Sequence, residues 1–487
     1  METKVLPAVA AVAASAALFF FGTGLAPIAA LAWIAPLPVL LLAPRVGATT
    51  AVVAAFLAYL LGTANSWSYF LHSLSIPLPA ALLIVVGGAG VFALATLLFR
   101  ALSRAGRPLL AMLSAPSVWV TALFAASLAS PTGVVGTLAT TQADVPVVLQ
   151  LAAITGSWGV EFLVLLVPAA VAACAAPGVA TAARLRTGAV MTLAVAAMLT
   201  YGFVRLSDVD DHAERLAVVA ATEPHWAVDV AGPAGRLLVQ SYVDEIAGLP
   251  DGIRMVVLPE ASFAADEASL PALVEPLSQV ARAKGADIVV GALSTENGQR
   301  FNTALDIRPG QPSVAYHKWH NGGASNVQSG HELAMPGGIG LAVCMDVNFP
   351  DPSRDYARAG ARFVAIPASD EDVDGWQHSR AALLRAVENG FSVAWSDQRG
   401  LSILADSRGR VLAEAATGGP APFAVAIADV PAGTGPTFAA RFGDWFPWLC
   451  AALTLVGLAA AAVRRRPTAG TQSGQPGETR SLRVPLR

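Results

Sequence analysis

A run of about 20 apolar residues without a charge fits one environment outside a protein core, the hydrocarbon layer of a membrane. The first 206 residues contain such runs repeatedly. Helices are expected near 5–22, 25–43, 47–63, 78–99, 108–128, 146–173 and 188–204, with one more near 445–463. Only 13% of the chain is charged, against about 25% in ordinary soluble domains, and the mean hydropathy is +0.57.

The few charges among these runs are sorted. Lys4, Arg45, the group Arg100, Arg104 and Arg107, and the pair Arg184 and Arg186 fall in alternate connections, while connections 64–77 and 129–145 hold no Lys or Arg. Cations collect on the cytoplasmic side of a membrane. The sorting therefore predicts Met1 inside, residue 206 outside after seven spans, and Arg464, Arg465 and Arg466 stopping the last span inside. A signal peptide at the first run fits less well, because no clear cleavage site follows and further spans do. The expected organisation is a membrane domain over 1–206 with about seven transmembrane helices, a polar domain over 212–432 on the extracytoplasmic side, a C-terminal transmembrane helix over 443–466, and a disordered cytoplasmic tail over 467–487.

The polar domain reads differently. Short β-branched runs at 216–221, 254–258, 287–292 and 363–367 alternate with helical stretches at 235–248, 271–284 and 376–389. Further short strands fit 301–308, 312–317, 338–343, 392–397, 402–405 and 422–428, so an α/β domain with a buried sheet is expected. A net charge of −3 argues against nucleic acid as a partner. Of three cysteines, Cys174 and Cys450 lie in apolar runs, leaving Cys344 alone in the polar section. No Cys/His spacing suggests zinc, and neither metal nor cofactor is expected.

Three stretches of this domain carry chemistry. Val256–Ser262, Tyr316–His320 and Leu341–Pro350 each bring an apolar, β-prone run to one reactive side chain: Glu260, Lys318 and Cys344. A carboxylate to take a thiol proton, an ammonium to favour thiolate and hold an oxyanion, and a nucleophilic thiol form an acyl-transfer set. Each has an ordinary reading: a helix-start carboxylate, a surface lysine, a small core cysteine. Their common placement at strand ends argues for a shared site, since such ends gather on one edge of an open α/β sheet. Asp346 is a candidate for orienting the cysteine loop, and the Met345 backbone N–H for an oxyanion donor. Glu161, an ionisable residue inside a span, is either a functional group or a helix-end anchor. Trp67 and Tyr69 read as interfacial anchors, and His317, His320, His331 and His378 as weaker base candidates than Glu260.

The order Glu260, Lys318, Cys344 resembles the nitrilase (carbon–nitrogen hydrolase) superfamily. Phe301-Asn302-Thr303-Ala304, the segment Cys344–Pro350 with Arg354, Ile366-Pro367-Ala368, and Arg385–Gly390 are similar to its pattern. A domain of that kind between membrane spans resembles the apolipoprotein N-acyltransferase family. Leu31–Pro38, Trp158-Gly159-Val160-Glu161-Phe162 and Arg441-Phe442-Gly443-Asp444-Trp445 are similar to that family's flanking motifs. The resemblance implies a multi-pass α-helical membrane protein with an inserted α-β-β-α sandwich. It also implies Glu260 as base, Lys318 as stabilising cation and Cys344 as nucleophile. It further implies a phospholipid acyl donor, a thioester intermediate, a diacylglyceryl-cysteine lipoprotein as amine acceptor, and a bacterial inner membrane location.

The chain departs from that family at the expected mouth of the site. Lys318 and Cys344 are only 26 positions apart, and the family's Val-Pro-Phe-Gly-Glu type motif, with its second glutamate, is absent. Asn321–Ser325 stands in its place, and Glu332 is the one carboxylate between Lys318 and Cys344. Beyond Pro367, the acidic Ser369–Gly375 replaces an aromatic loop. A membrane-anchored amidase with the same three residues, and a non-enzymatic lipid- or lipoprotein-binding relic, are the alternatives.

Overall fold

The computed structural model describes residues 2–73, 77–208, 212–322, 324 and 326–463. Arg464, Arg465, Arg466 and the tail over 467–487 lie outside the described residues.

Among the described residues, seven helices are long and apolar enough to cross a membrane: Val5–Gly22, Ala48–Ser66, Leu78–Arg104, Pro108–Ser127, Ser157–Cys174, Thr181–Ser207 and Trp445–Ala462. Two expected helices are broken. The run 25–43 becomes Ala29–Ala32 and Leu37–Leu42, followed by a 3₁₀ turn Ala43–Arg45. Pro36 and Pro38 remove two N–H donors there, which an unbroken helix needs. The segment still traverses the bundle. At its start the Gly24 carbonyl accepts from Gln377 of the α/β domain at 3.3 Å, and at its end Arg45 donates to the Ala175 carbonyl at 2.7 Å. The run 146–173 likewise splits into Pro146–Leu149, Ala152–Thr155 and Ser157–Cys174. Gly156 breaks it at a φ of +68°, where an added Cβ would meet Glu388 Oε1 at 3.0 Å. The backbone thus turns toward the α/β domain at a residue without a side chain.

Arg100, Arg107 and Arg184 sit at the bundle end away from that domain, while Arg205 lies at the near end and donates to the Ser407 carbonyl at 3.4 Å. Arg100 donates to the Val46 carbonyl at 2.8 Å, Arg184 to Val179 at 3.1 Å, and Arg107 to Ala460. They satisfy carbonyls that helix ends leave without intrahelical donors.

The domain contains strands β1 Ala213–Ala221, β2 Val228–Asp229, β3 Met255–Val257, β4 Phe263–Asp266, β5 Asp287–Glu296, β6 Gln299–Ile307, β7 Val314–His317, β8 Ile339–Leu341, β9 Phe363–Ala368, β10 Ser392–Asp397, β11 Leu401–Ala405, β12 Val411–Ala416 and β13 Phe423–Pro431. They form two sheets. One runs β13-β1-β3-β5-β4-β2, with β6 on β5 and β7 on β6; the other runs β12-β11-β10-β9-β8. Alternation along β1 explains the layers. Leu216 and Val218 face the second sheet, with Val364, Ile366 and Val393. Ala217 and Val219 face Leu238, Tyr242 and Ile246 of helix Pro233–Gly248 and Leu273 and Leu277 of helix Leu270–Lys284. Helices Ser353–Ala359 and Gly375–Asn389 cover the second sheet. The result is an α-β-β-α sandwich attached to a multi-pass helical bundle. Helix Gly375–Asn389 and the Cys344 loop lie on the bundle side: Val134 donates to the Asn348 carbonyl at 3.2 Å, and Arg380 pairs with Asp144 at 2.7 Å.

Candidate active site

The parallel strands β3, β8 and β9 end on one edge, and the three reactive residues arrive there by different routes. After β3 the chain continues through Leu258 and Pro259. Glu260 N donates to Ala368 O at the end of β9 (3.1 Å), and Glu260 O accepts from Gln398 Nε2 at 2.8 Å. Gly291 of β5 makes room for this turn: a Cβ there would lie 2.3 Å from Pro259 O and 2.5 Å from Glu260 Cα. Lys318 follows β7 and is pinned by its N–H to Asn302 O at 2.8 Å. Cys344 opens the 3₁₀ turn Cys344–Asn348 after β8, at a φ of +39°. Ala261, next to Glu260, has a φ of +46°. Left-handed non-glycine residues carry strain that the surrounding fold must hold, and here they flank both the carboxylate and the thiol.

Glu260 is 2% exposed and Lys318 6%. Glu260 Oε1 accepts from Lys318 Nζ at 2.7 Å and from Asn302 Nδ2 at 2.6 Å. Among the described residues, Oε2 takes no side-chain or backbone donor. Burial works against the Lys318 ammonium, but the charges of Glu260, Cys344 and Asp346 outweigh it and hold its pKa above the ordinary lysine range. Burial, and then the Glu260 carboxylate, push the Cys344 thiol well above its usual range, against a smaller opposing effect of Lys318. The ammonium favours thiolate, as expected, but burial and the Glu260 carboxylate outweigh it. The site holds a thiol, a carboxylate with one open oxygen, and a fixed ammonium.

Asp346 is fully buried and ties two stretches together. Its Oδ1 accepts from His320 N at 3.0 Å and pairs with His320 Nδ1 at 3.1 Å; its Oδ2 accepts from Tyr316 Oη at 2.8 Å and Val343 N at 3.0 Å. The lysine and cysteine segments are thereby locked in register. Met345 follows the thiol residue and packs toward Gly322. Glu332 is exposed, with its carbonyl accepting from Trp319 Nε1 at 3.2 Å. No interaction joins its carboxylate to Glu260, Lys318 or Cys344 among the described residues, so the structure does not bring it into the cluster. Within Asn321–Ser325, positions 323 and 325 lie outside the described residues.

Glu161 is 1% exposed, enclosed within the protein. It accepts from Ala139 N at 2.7 Å and Trp119 Nε1 at 3.0 Å. It thereby fixes the connection whose residue Thr132 accepts from Asn348 Nδ2, four residues past Cys344, at 3.2 Å. Tyr69 is buried too, and donates to Asp374 rather than marking a membrane surface. His317 stacks on Phe301 and His320 on Phe349, while His331 is exposed. Gln398 is a site residue that the motif reading did not single out, and Asn302 lies in a segment it quoted without giving that residue a role. The place of Asn302 on a strand paired with the lysine strand is the signal that points to it.

A two-sheet sandwich with a carboxylate, an ammonium and a thiol on one strand edge is the architecture of a carbon–nitrogen hydrolase. Residues 215–437 match the carbon-nitrogen hydrolase family model, and residues 13–170 match the apolipoprotein N-acyltransferase N-terminal domain. The chain belongs to the nitrilase superfamily, as a member of the apolipoprotein N-acyltransferase type. It is 35% identical over 137 residues to an apolipoprotein N-acyltransferase of Geobacter metallireducens, covering 27% of this chain and 25% of that protein. It is 31% identical over 161 residues to a hydrolase of Mycobacterium tuberculosis, covering 28% of this chain and 56% of that one. The matched stretches thus span a quarter to about half of these relatives. Among solved structures, Nit3 of Saccharomyces cerevisiae, a member of branch 10 of the nitrilase superfamily, aligns with a TM-score of 0.38 and 21% identity, over 44% of this chain and 90% of that one.

Proposed function

We propose that this protein moves an acyl chain from a phospholipid to Cys344 and then to the α-amine of a diacylglyceryl-cysteine lipoprotein. The observation that carries the reading is the buried Glu260–Lys318 pair beside the Cys344 thiol, in a domain joined to membrane-spanning helices. Glu260 takes the thiol proton as sulfur attacks the ester carbonyl. Lys318 and the Met345 N–H hold the oxyanion. The intermediate collapses to a thioester, and Glu260 returns the proton to the departing glycerol oxygen. The acceptor amine then attacks the thioester, Glu260 takes the amine proton, and the Cys344 sulfur leaves and recovers it. Asp346 positions the cysteine turn, and Glu161 supports the connection beneath it.

Both substrates are lipid-anchored, so a site tethered to the bundle meets them at high effective concentration. The arginines at the bundle end away from the domain support a bacterial inner membrane orientation with the site outside.

A second reading is a membrane-anchored amidase in which water accepts the acyl group. The short Lys318–Cys344 segment favours it, as does similarity to an (R)-stereoselective amidase of Pseudomonas, 27% identical over 158 residues. Acceptor dependence separates the two. A thioester that persists in water and is discharged by a lipopeptide amine supports transfer; one that water clears at the same rate with or without the amine supports hydrolysis.

A further inference from the structure

Three carboxylates are buried around one imidazole beside the thiol. β9 ends at Ala368, the chain turns, and helix Gly375–Asn389 begins. Asp370, Asp374 and His378 recur at intervals of four across that turn. Asp370 is 5% exposed, and Asp374 and Asp397 are fully buried. Asp370 Oδ1 accepts from His378 Nδ1 at 2.6 Å, which fixes the ring with Nε2 4.0 Å from Asp374 Oδ2. Asp374 also accepts from the Tyr69 hydroxyl and, at 2.9 Å, from Glu371 N. Asp397 is held by three N–H groups, those of Asp370, Arg399 and Leu401, at 3.0, 3.1 and 3.2 Å.

Two observations do not fit a self-sufficient hydrogen-bond cluster. Asp370 Oδ2 is buried with no donor. Among the described residues, no Lys or Arg forms an ion pair with Asp370, Asp374 or Asp397. Arg399 pairs with Glu371 and Asp372, and Lys318 is engaged by Glu260. A buried carboxyl group without a cation beside it either keeps a proton or binds a metal.

We propose that Asp370, Asp374 and His378 hold a divalent transition-metal cation of the Zn²⁺, Co²⁺ and Mn²⁺ class. Each residue brings one ligand atom within 4.8 Å of the other two. A mixed imidazole and carboxylate set suits these ions better than all-oxygen Ca²⁺ or Mg²⁺. The Ser369 carbonyl, next to Asp370, lies 3.9 Å from Cys344 Sγ. A cation in the cluster therefore adds positive charge at the reacting edge. Through Asp374 and Tyr69, the cluster joins the connection between two membrane helices. The proposal is independent of the acyl-transfer reading.

The test is metal binding by the full-length, tag-free protein in detergent, stripped with EDTA and dialysed. Co²⁺ is titrated with visible absorption as readout, and Zn²⁺, Mn²⁺ and Ca²⁺ by calorimetry. The expected result is one saturable equivalent, retained in Cys344→Ala, at least 100-fold weaker in His378→Gln and Asp374→Asn, and about 10- to 100-fold weaker in Asp370→Asn. A proton shared by Asp370 and Asp397 supplies the same neutrality without metal. Absence of saturable binding, binding unchanged in His378→Gln, or preference for Ca²⁺ overturns the proposal. Should the variants fail to fold, wild type still decides. Saturating Zn²⁺ is expected to slow diethylpyrocarbonate labelling of His378 at least tenfold, and an unchanged rate overturns the proposal.

Discussion

Two carboxylate groups lie at the same depth on the same edge of the sandwich, and their charge balance is opposite. Glu260 has an ammonium at 2.7 Å and an amide at 2.6 Å on one oxygen. Asp370 and Asp374 share one histidine, and Asp397 has backbone N–H donors. The first arrangement pairs the carboxylate with a cation on one oxygen and leaves the other open. The second calls for a counter-charge that the described side chains do not supply. A third carboxylate, Asp306, lies away from both. It is 1% exposed, with Arg308 Nε only loosely placed at 3.9 Å. Burial first, and then the nearby Asp287 charge, push its pKa up to about 7. Among the described residues, Asp306 has no cation in close contact, whereas Glu260 has the Lys318 ammonium at 2.7 Å.

The most demanding way to break this comparison is Glu260→Gln. Acyl transfer should fall by about 10²–10⁴-fold, the range for loss of a positioned general base. Removing the carboxylate also removes a charge that raises the Cys344 pKa while Lys318 stays, so iodoacetamide should label Cys344 faster at neutral pH. Loss of transfer with slower labelling would contradict the assignment. In the wild type, labelling at neutral pH should be slower than for a free thiol and should increase as pH rises through and beyond the usual thiol range, because the folded protein favours the protonated form.

Lys318→Met probes the same pair from the other side. It leaves Glu260 buried without its cation, which typically costs about 3–5 kcal/mol. The double variant Glu260→Gln/Lys318→Met should regain much of that in thermal unfolding. A strictly additive double variant would mean the two side chains are not coupled.

Glu161→Gln is a smaller perturbation. The amide oxygen keeps the Ala139 N–H, while the Trp119 contact is exchanged for a poorer one. A loss of activity under about tenfold is expected, on the scale of one hydrogen bond of about 0.5–1.5 kcal/mol.

Asp306→Asn should have the smallest effect and the clearest sign. A carboxyl whose folded pKa is raised contributes stability at low pH that is lost as pH rises through about 7. The amide mimics the protonated form. The unfolding temperature should therefore rise by a few degrees at pH 8, and the gain should shrink toward pH 4.

Much of this could be read from the residues. The strand ends carrying Glu260, Lys318 and Cys344 were visible because each apolar, β-prone run stops at a reactive side chain. The charge sorting of Arg45, Arg100, Arg104, Arg107 and Arg184 anticipated one cation-rich bundle end. Helix breaks were not legible from hydrophobicity. Leu31–Pro38 is apolar throughout and Pro146–Phe162 largely so, and Pro36, Pro38 and Gly156 mark where the backbone turns. β12 escaped because Val411–Ala416 alternates between half-buried and exposed positions, with Glu414 among them. The acidic cluster was hidden because Ser369–Gly375 has the composition of a solvated loop. Its one signal was the four-residue spacing of Asp370, Asp374 and His378. The resting state of Cys344 was hidden as well, since it depends on which of two neighbouring charges and the burial prevails.

The central claim is tested most directly by the intact mass of the purified protein after incubation with phospholipid, wild type beside Cys344→Ala. The account predicts one added acyl chain on wild type only, discharged by a diacylglyceryl lipopeptide with a free α-amine and not by one whose amine is blocked. An equal adduct on Cys344→Ala, or discharge indifferent to the amine, would contradict it.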